Sequence, residues 1–234
     1  VMEIFIKIPY EKKQSTESIL RQTKDDLSES IAYIGRKKPE LAKLTLCCAG
    51  VNLVMSALMV IGLPVIVMNI LDFSKSEASR LYGYMEAILA IGGLAGGIGA
   101  GVFGQKLKVN GSWKFLLASG VLLVPMGVVL LPSCPPYLAY GVLAAVGIVI
   151  MAMSAIYTIQ IMSYIQITTP QHMVGKVIAW IIAVSTCAQP VGQVLYGFLF
   201  EKIGQNAYLI FYAAAVCSML IAWGSRKATK ALQN

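Results

Sequence analysis

Long runs of apolar residues, broken only by short polar or basic connections, constrain this chain more than any other feature. A helix needs about 20 predominantly apolar residues to cross roughly 30 Å of hydrocarbon, and most of the sequence is organised in runs of that length. Hydrophobic residues make up 57% of the chain and charged residues only 13%. Enclosing such runs in a water-soluble fold would need a polar shell, and too little polar sequence remains to build one. Lipid offers the backbone no hydrogen-bond partners, so spanning segments must satisfy their own amides, which a helix does within itself. The chain therefore reads as all-α: a polytopic membrane protein with a six-transmembrane-helix bundle.

Its organisation follows from where the apolar runs start and stop. Residues 1–8, beginning VMEIFIKI, read as the end of a preceding transmembrane helix, which implies a longer polypeptide upstream. Residues 9–43 are polar and dense in both charges. Ser15 or Thr16 can cap a helix whose apolar positions Leu20, Leu27, Ile31 and Ile34 share one stripe, with Pro39 just past its end. This segment is expected to be a cytoplasmic amphipathic linker. Six spans are expected within residues 44–225. They run from about Leu44 to Leu71, Leu81 to Gly104, Phe115 to Leu131, Tyr137 to Met162, Val177 to Phe200 and Ala207 to Trp223, with a tight Pro132–Pro136 turn between the third and fourth. Residues 226–234 form a basic tail.

The net charge of +8 fits topology and not nucleic acid, because Lys and Arg cluster in the connections and form no basic face. One side of the bundle carries the linker cations, then Lys106, Lys108 and Lys114, then Lys176, then Arg226, Lys227 and Lys230, whereas the other has only Lys75, Arg80 and Lys202. The basic side is expected to be cytoplasmic. An even number of spans then places both ends of the segment inside, in a cell inner (plasma) membrane.

Polar residues are distributed unevenly over the spans. The third offers Ser119 and the sixth Ser218 besides its tyrosines, whereas the first, second, fourth and fifth hold Asn52, Ser56, Glu86, Ser154, Thr158, Gln160, Ser185, Thr186, Gln189 and Gln193. Buried amides and acids need partners or water, so these four helices should face a cavity or another bundle, and the third and sixth should face lipid. In the second span Glu86, Ala90, Gly93, Gly97 and Gly101 fall on one helical face, and glycines repeat four residues apart in two offset rows. Such rows let another helix approach closely, so this face should pack against protein. Glu86 has two readings. It is either a protonatable site, since desolvation disfavours the charged carboxylate, or an acid that reaches the outer interface toward Arg80. In the fifth span Ser185, Gln189 and Gln193 make a polar stripe beside Pro190, which removes one backbone hydrogen bond. That stripe, like the Asn52–Ser56 pair, suits either a solute pathway or hydrogen bonding that holds helices together.

Other signals carry less. Gly99, Gly101 and Gly104 match GxGxxG, but no strand precedes them. Asn110-Gly111-Ser112 lies in a connection assigned to the cytoplasm, and His172 sits in the loop around Pro170. The cysteines, with Cys47 and Cys48 adjacent and no CxxC pair, read as small apolar residues, and no metal site is assigned. There is no phosphate-binding loop, no HExxH and no pair of intramembrane carboxylates. No cofactor is expected and the segment does not read as an enzyme.

The wording TPQHMVGKVIAW entering the fifth span, AQPVGQVLYGFLFEKIG leaving it, and the Tyr82-Gly83 opening of the glycine-rich span resemble the macrolide-efflux-like branch of the major facilitator superfamily. The match is to the C-terminal half, spans seven to twelve of twelve. The connection GVFGQKLKVNGSWK departs from the family's charged loop, with Gln105 in place of the acid. The resemblance implies alternating access between two six-helix halves around a midplane site. It implies a missing N-terminal half as partner, and places the second and fifth spans at the contact between halves. The expected function is a secondary transporter, proton-coupled, exporting a small, moderately apolar compound such as a drug. Glu86 would take the proton, while Asn52, Ser56, Gln160, Ser185, Gln189 and Gln193 would line the pathway. The alternatives are a nutrient or metabolite permease of the same superfamily, and a non-transporting six-helix scaffold or channel subunit.

Overall fold

The computed structural model describes residues 39–103 and 109–231, together with Ser28, Ile34 and Gly35. The expected amphipathic helix after Ser15, the segment 1–8 and the connection containing Gln105, Lys106 and Lys108 lie outside the described residues. Within them the chain forms six long helices and no strand: α1 (Pro39–Ile70), α2 (Lys75–Phe103), α3 (Ser112–Val128), α4 (Pro136–Thr168), α5 (Val174–Ile203) and α6 (Tyr208–Ala231). Five of these are long and apolar enough to cross a membrane. The 17 residues of α3 rise about 26 Å at 1.5 Å per residue, at the short end of what a span requires. The expected all-α membrane bundle is the observed fold.

Several helices extend beyond the hydropathy reading, α2 back to Lys75 and α4 on to Thr168 among them, and at two more boundaries the local sequence permits it. α1 is helical from Pro39, ahead of Leu44, and proline's fixed φ and missing N–H are compatible with a first helical turn. α6 runs on through Arg226 and Lys227 to Ala231, because Ala222, Ser225, Ala228 and Thr229 continue one buried stripe beyond Trp223. Cations at the end of a helix also suit its dipole. The turn after α3 matches its sequence: Cys134 N–H bonds the Leu131 carbonyl at 3.0 Å, and Pro135 and Pro136 open α4. Gly204 closes α5 at φ 55°, a left-handed conformation that glycine adopts without steric cost.

The chain reverses at each connection. Lys43, Lys114, Lys176, Arg226 and Lys227 therefore gather at one end of the bundle, the basic end, and the turns after α1, α3 and α5 form the other, the turn end. Neighbours follow the order α2, α4, α3, α6, α1, α5, and the last residues of α1 touch α2 at the turn end. α3 and α6 run antiparallel and pack tightly: a Cβ at Gly120 would meet Ser218 at 3.1 Å, and one at Gly127 would meet the Tyr212 ring at 2.8 Å. Away from the helix ends, the exposed large side chains of this pair are apolar, with Val121, Val124 and Val128 on α3 and Val216, Leu220 and Trp223 on α6. Such strips suit lipid.

α1 is the most buried long helix and is not a uniform α-helix. It widens into π-helical turns at Asn52–Ser56 and Ile66–Ile70. In the first, the Asn52 side chain donates to the Cys48 carbonyl at 3.0 Å, and the Ala57 N–H reaches back five residues to the Asn52 carbonyl. The second follows Pro64, which cannot donate to the ladder. Single π turns inside membrane helices recur at functional positions.

Candidate functional site

Glycine spacing on α2 produces two parallel rows one residue apart, and the fold uses them differently. Gly92 and Gly96 are buried against α4, where a Cβ at Gly92 would lie 2.5 Å from the Ile148 carbonyl oxygen and one at Gly96 would collide with that of Ala152. Met85, Leu89 and Ala100 extend this buried face along the helix. Gly93, Gly97 and Gly101 face away, and a Cβ at any of them would meet nothing within 4 Å.

Glu86 belongs to the open row. Its carboxylate is exposed beside the phenol of Tyr82, one turn earlier on the same helix. α2 starts at Lys75, so Glu86 lies about 16 Å along the helix axis from that end, and the turns added ahead of Leu81 carry Lys75, Glu77 and Arg80. Arg80 sits instead beside Tyr137, whose hydroxyl donates to the Glu77 carboxylate. Among the described residues no ion pair joins Arg80 to Glu86. An uncovered acid and a row of glycines at membrane depth require a protein or aqueous neighbour.

The second group of polar residues lies along the contact between α1 and α5. These helices run parallel and touch most closely at Gly192, where an added Cβ would strike the Leu53 carbonyl oxygen and come within 2.7 Å of the Ala57 methyl. The π turn at Asn52–Ser56 thus carries Asn52 and Ser56 where α5 comes nearest. On α5, Ser185 is buried with no hydrogen-bond partner, Gln189 and Gln193 are half-buried on either side of Gly192, and Pro190 is exposed in a helix that continues through it. At the turn end this seam opens into a cleft of about 370 Å³ lined by Val65, Asn69, Phe200 and Glu201.

Gln160 stands apart from both groups. It is 5% exposed, both atoms of its amide lack a partner, and it lines a cavity of about 210 Å³ with Ala100, Val109, Ser163 and Tyr164 near the basic end of α4. The structure therefore gathers Asn52, Ser56, Ser185, Gln189 and Gln193 on one seam, and leaves Glu86 and Gln160 at separate places on α2 and α4.

Three contacts were not read from sequence. The Tyr196 hydroxyl donates to the Val54 carbonyl at 2.9 Å inside the π turn. Tyr157 and Ser225 join α4 to α6 by a buried hydrogen bond of 3.1 Å. Phe73 stacks edge-on with Tyr137 at 5.1 Å between centroids and lies near Tyr140, whose hydroxyl bonds the Leu81 carbonyl at 2.8 Å. Tyr196 extends the Ser185–Gly192 stripe by one turn, and that register was the available signal.

Two parallel pairs, α2 on α4 and α5 on α1, are thus each closed by glycine against backbone, and their outer faces are left open, with the Glu86–Gly101 row on α2 flanked by exposed Ile91, Leu94 and Ile98 and the half-buried Gln189 and Gln193 on α5 beside exposed Val191 and Val194. Comparison with curated proteins returns no match. Comparison with solved structures also returns none. The family model described as Major Facilitator Superfamily matches residues 8–192. That match takes in α1 to α4 and α5 as far as Gly192, and with it this multi-pass membrane chain belongs to the Major Facilitator Superfamily of transporters.

Proposed function

We propose that the chain is the C-terminal six-helix half of a proton-coupled secondary transporter that exports a small, moderately apolar compound by alternating access. A second six-helix half of the same polypeptide covers the open faces of α2 and α5, and Glu86 exchanges the proton. The observation that carries this reading is the unused face Glu86–Gly93–Gly97–Gly101, beside a sister row already closed on α4. Glycines permit close approach of a further helix, and the acid needs that cover to be neutralised at depth. The pairings support it too. α2 on α4 and α5 on α1 are equivalent contacts if α1–α3 and α4–α6 are the two inverted three-helix repeats of one transporter half.

On this reading the solute passes beside the α1–α5 seam, where Asn52, Ser56, Ser185, Gln189 and Gln193 offer neutral donors and acceptors and the Asn52–Ser56 π turn supplies a deformable segment. Export and a macrolide-like substrate rest on the wording of residues 169–180 and 188–204. The orientation, with the basic end in the cytoplasm, rests on the distribution of Lys and Arg.

Glu86→Gln in the full-length transporter tests the coupling role. Transport in everted membrane vesicles should lose its pH dependence, with membrane insertion and abundance unchanged. Persistence of the wild-type pH profile in the variant would remove Glu86 from the mechanism.

A further inference from the structure

The outer surface of the α3–α6 pair carries two matching stripes, one on each helix. On α3, Trp113, Val121, Val124 and Val128 follow one helical face from the basic end toward the turn end. On α6, Trp223, Leu220 and Val216 do the same in the opposite chain direction, and Trp223 is 56% exposed. At the basic end each stripe terminates in a tryptophan with a cation over its ring. The Arg226 guanidinium lies 4.8 Å from the Trp113 centroid, and the Lys227 ammonium 3.5 Å from that of Trp223. Lys114, the residue after Trp113, is exposed in the first turn of α3 and adds a third positive charge at this end. Gly111 caps α3 without a side-chain hydrogen bond, so the positive end of the α3 dipole points the same way.

We propose that this face holds one anionic phospholipid, with its phosphate headgroup between Arg226, Lys227 and Lys114 and its two acyl chains along the α3 and α6 stripes. Charge complementarity selects the occupant. Three cations and a helix N-terminus meet here with no acidic residue on either helix, since neither α3 nor α6 contains Asp or Glu. A zwitterionic lipid would bring its own ammonium group into that field. The tryptophans fit the same picture, because indole rings settle at headgroup level, and their stacking holds the cations at the edge of the apolar stripes instead of letting them extend freely into water. The inference needs only the membrane setting of the bundle. It does not depend on direction of transport, on Glu86 or on the covering half.

The test uses the purified full-length protein in nanodiscs, with Trp180 and any tryptophan of the covering half replaced by Phe, so that Trp113 and Trp223 report. Phosphatidylglycerol or phosphatidylcholine carrying brominated acyl chains is titrated into an unlabelled phosphatidylcholine background, and fluorescence quenching is read. Brominated phosphatidylglycerol should quench well above its mole fraction and brominated phosphatidylcholine only in proportion to it. Arg226→Gln and Lys227→Gln should each lower the preference roughly fivefold, the weight of one charge near a membrane surface. Lys202→Gln is the matched control. It also removes a cation stacked on an aromatic ring, 4.6 Å from the Phe198 centroid, but on α5 at the turn end, and it should leave the preference intact. Equal quenching by the two lipids would overturn the proposal. So would a preference that survives Arg226→Gln and Lys227→Gln together, or protection from both lipids, which would mean that a second copy of the protein covers the face.

Discussion

The two glycine rows of α2 have almost the same sequence signature and opposite fates. Gly92 and Gly96 lie against the α4 backbone, while Gly93, Gly97 and Gly101, turned by one residue around the helix, meet nothing within 4 Å. The first row spends its missing side chains on closing this bundle. The second keeps the same capacity for a neighbour outside it. α2 and α5 share this half-used character, with 22% of their apolar windows buried against 50% for α1. The exposed large side chains of both helices, Ile91, Leu94 and Ile98 on α2 and Val191 and Val194 on α5, are as apolar as the valines of α3, so what lipid covers poorly is the Glu86 row itself. The contrast between rows thus separates what holds the bundle together from what is reserved for contact.

The sharpest way to break that contrast is to add one methyl group to adjacent glycines. At Gly96 a Cβ would run into the Ala152 carbonyl oxygen, and backbone cannot step aside as a flexible side chain can. Gly96→Ala should cost about 3 kcal/mol, the upper part of the usual range for overpacking, through forced separation of α2 and α4. At Gly97 the methyl group meets no neighbour within the bundle, so Gly97→Ala should stabilise by up to about 1 kcal/mol through helix propensity. Thermal unfolding of the six-helix segment, purified in detergent without the covering half, should move in opposite directions for the two variants. A fall of equal size for both would show that the second row is also closed by close contact. Gly97→Leu carries the comparison into function: folding should survive and transport should be lost if another helix packs there.

A smaller effect is expected across the other parallel pair. Gly192→Ala on α5 would push against the Leu53 carbonyl oxygen and the Ala57 methyl, but it does so at the π turn Asn52–Ser56, where the α1 backbone is already widened. The cost should be about 2 kcal/mol, again as overpacking. A loss equal to that of Gly96→Ala, measured in the same unfolding series, would mean that the π turn yields no more readily than regular helix.

The difference between the rows also marks where sequence stops being informative. The bundle itself was legible, because apolar runs of spanning length leave the backbone few choices, and the Pro132–Pro136 turn and the polar character of four spans were legible for the same reason. Which glycine row closes the bundle was not. Both rows repeat every four residues, and Glu86 on the second suits a face covered by a neighbouring helix of this bundle as well as one left open. The π turns were hidden because they arise from a local contest, with the Asn52 amide taking the Cys48 carbonyl and Pro64 withholding a donor, and periodicity alone records neither. Gln160 looked like part of one polar lining with Gln189, yet it occupies its own cavity beside Ala100 and Val109. Span membership alone does not reveal the face of a helix on which a residue sits. Composition also hides the end of α6, because Arg226 and Lys227 look like a tail while Ala228 and Thr229 beside them are fully buried in a helix that continues.

The finest distinction concerns what holds the α1–α5 seam once glycine has allowed contact. The Tyr196 hydroxyl donates to the Val54 carbonyl at 2.9 Å, and that carbonyl lies in a turn where the regular ladder is already interrupted. Tyr196→Phe keeps the buried ring and removes only the donor, so the loss should be about 1 kcal/mol, the net worth of one ordinary hydrogen bond. The hydrogen bonds of the α2–α4 seam, from Tyr137 to Glu77 and from Tyr140 to the Leu81 carbonyl, lie at its turn end and away from its glycines, so a matched Leu89→Val beside Gly92 should respond through volume, at about 1 kcal/mol. The two can be told apart by hydrogen exchange at the α1 amides. Tyr196→Phe should raise exchange across Asn52–Ala57, because the freed carbonyl lets the π turn relax, while Leu89→Val should leave those amides as they were. Unchanged exchange in Tyr196→Phe would mean that the π turn is maintained by Asn52 and packing, with the tyrosine merely resting on it.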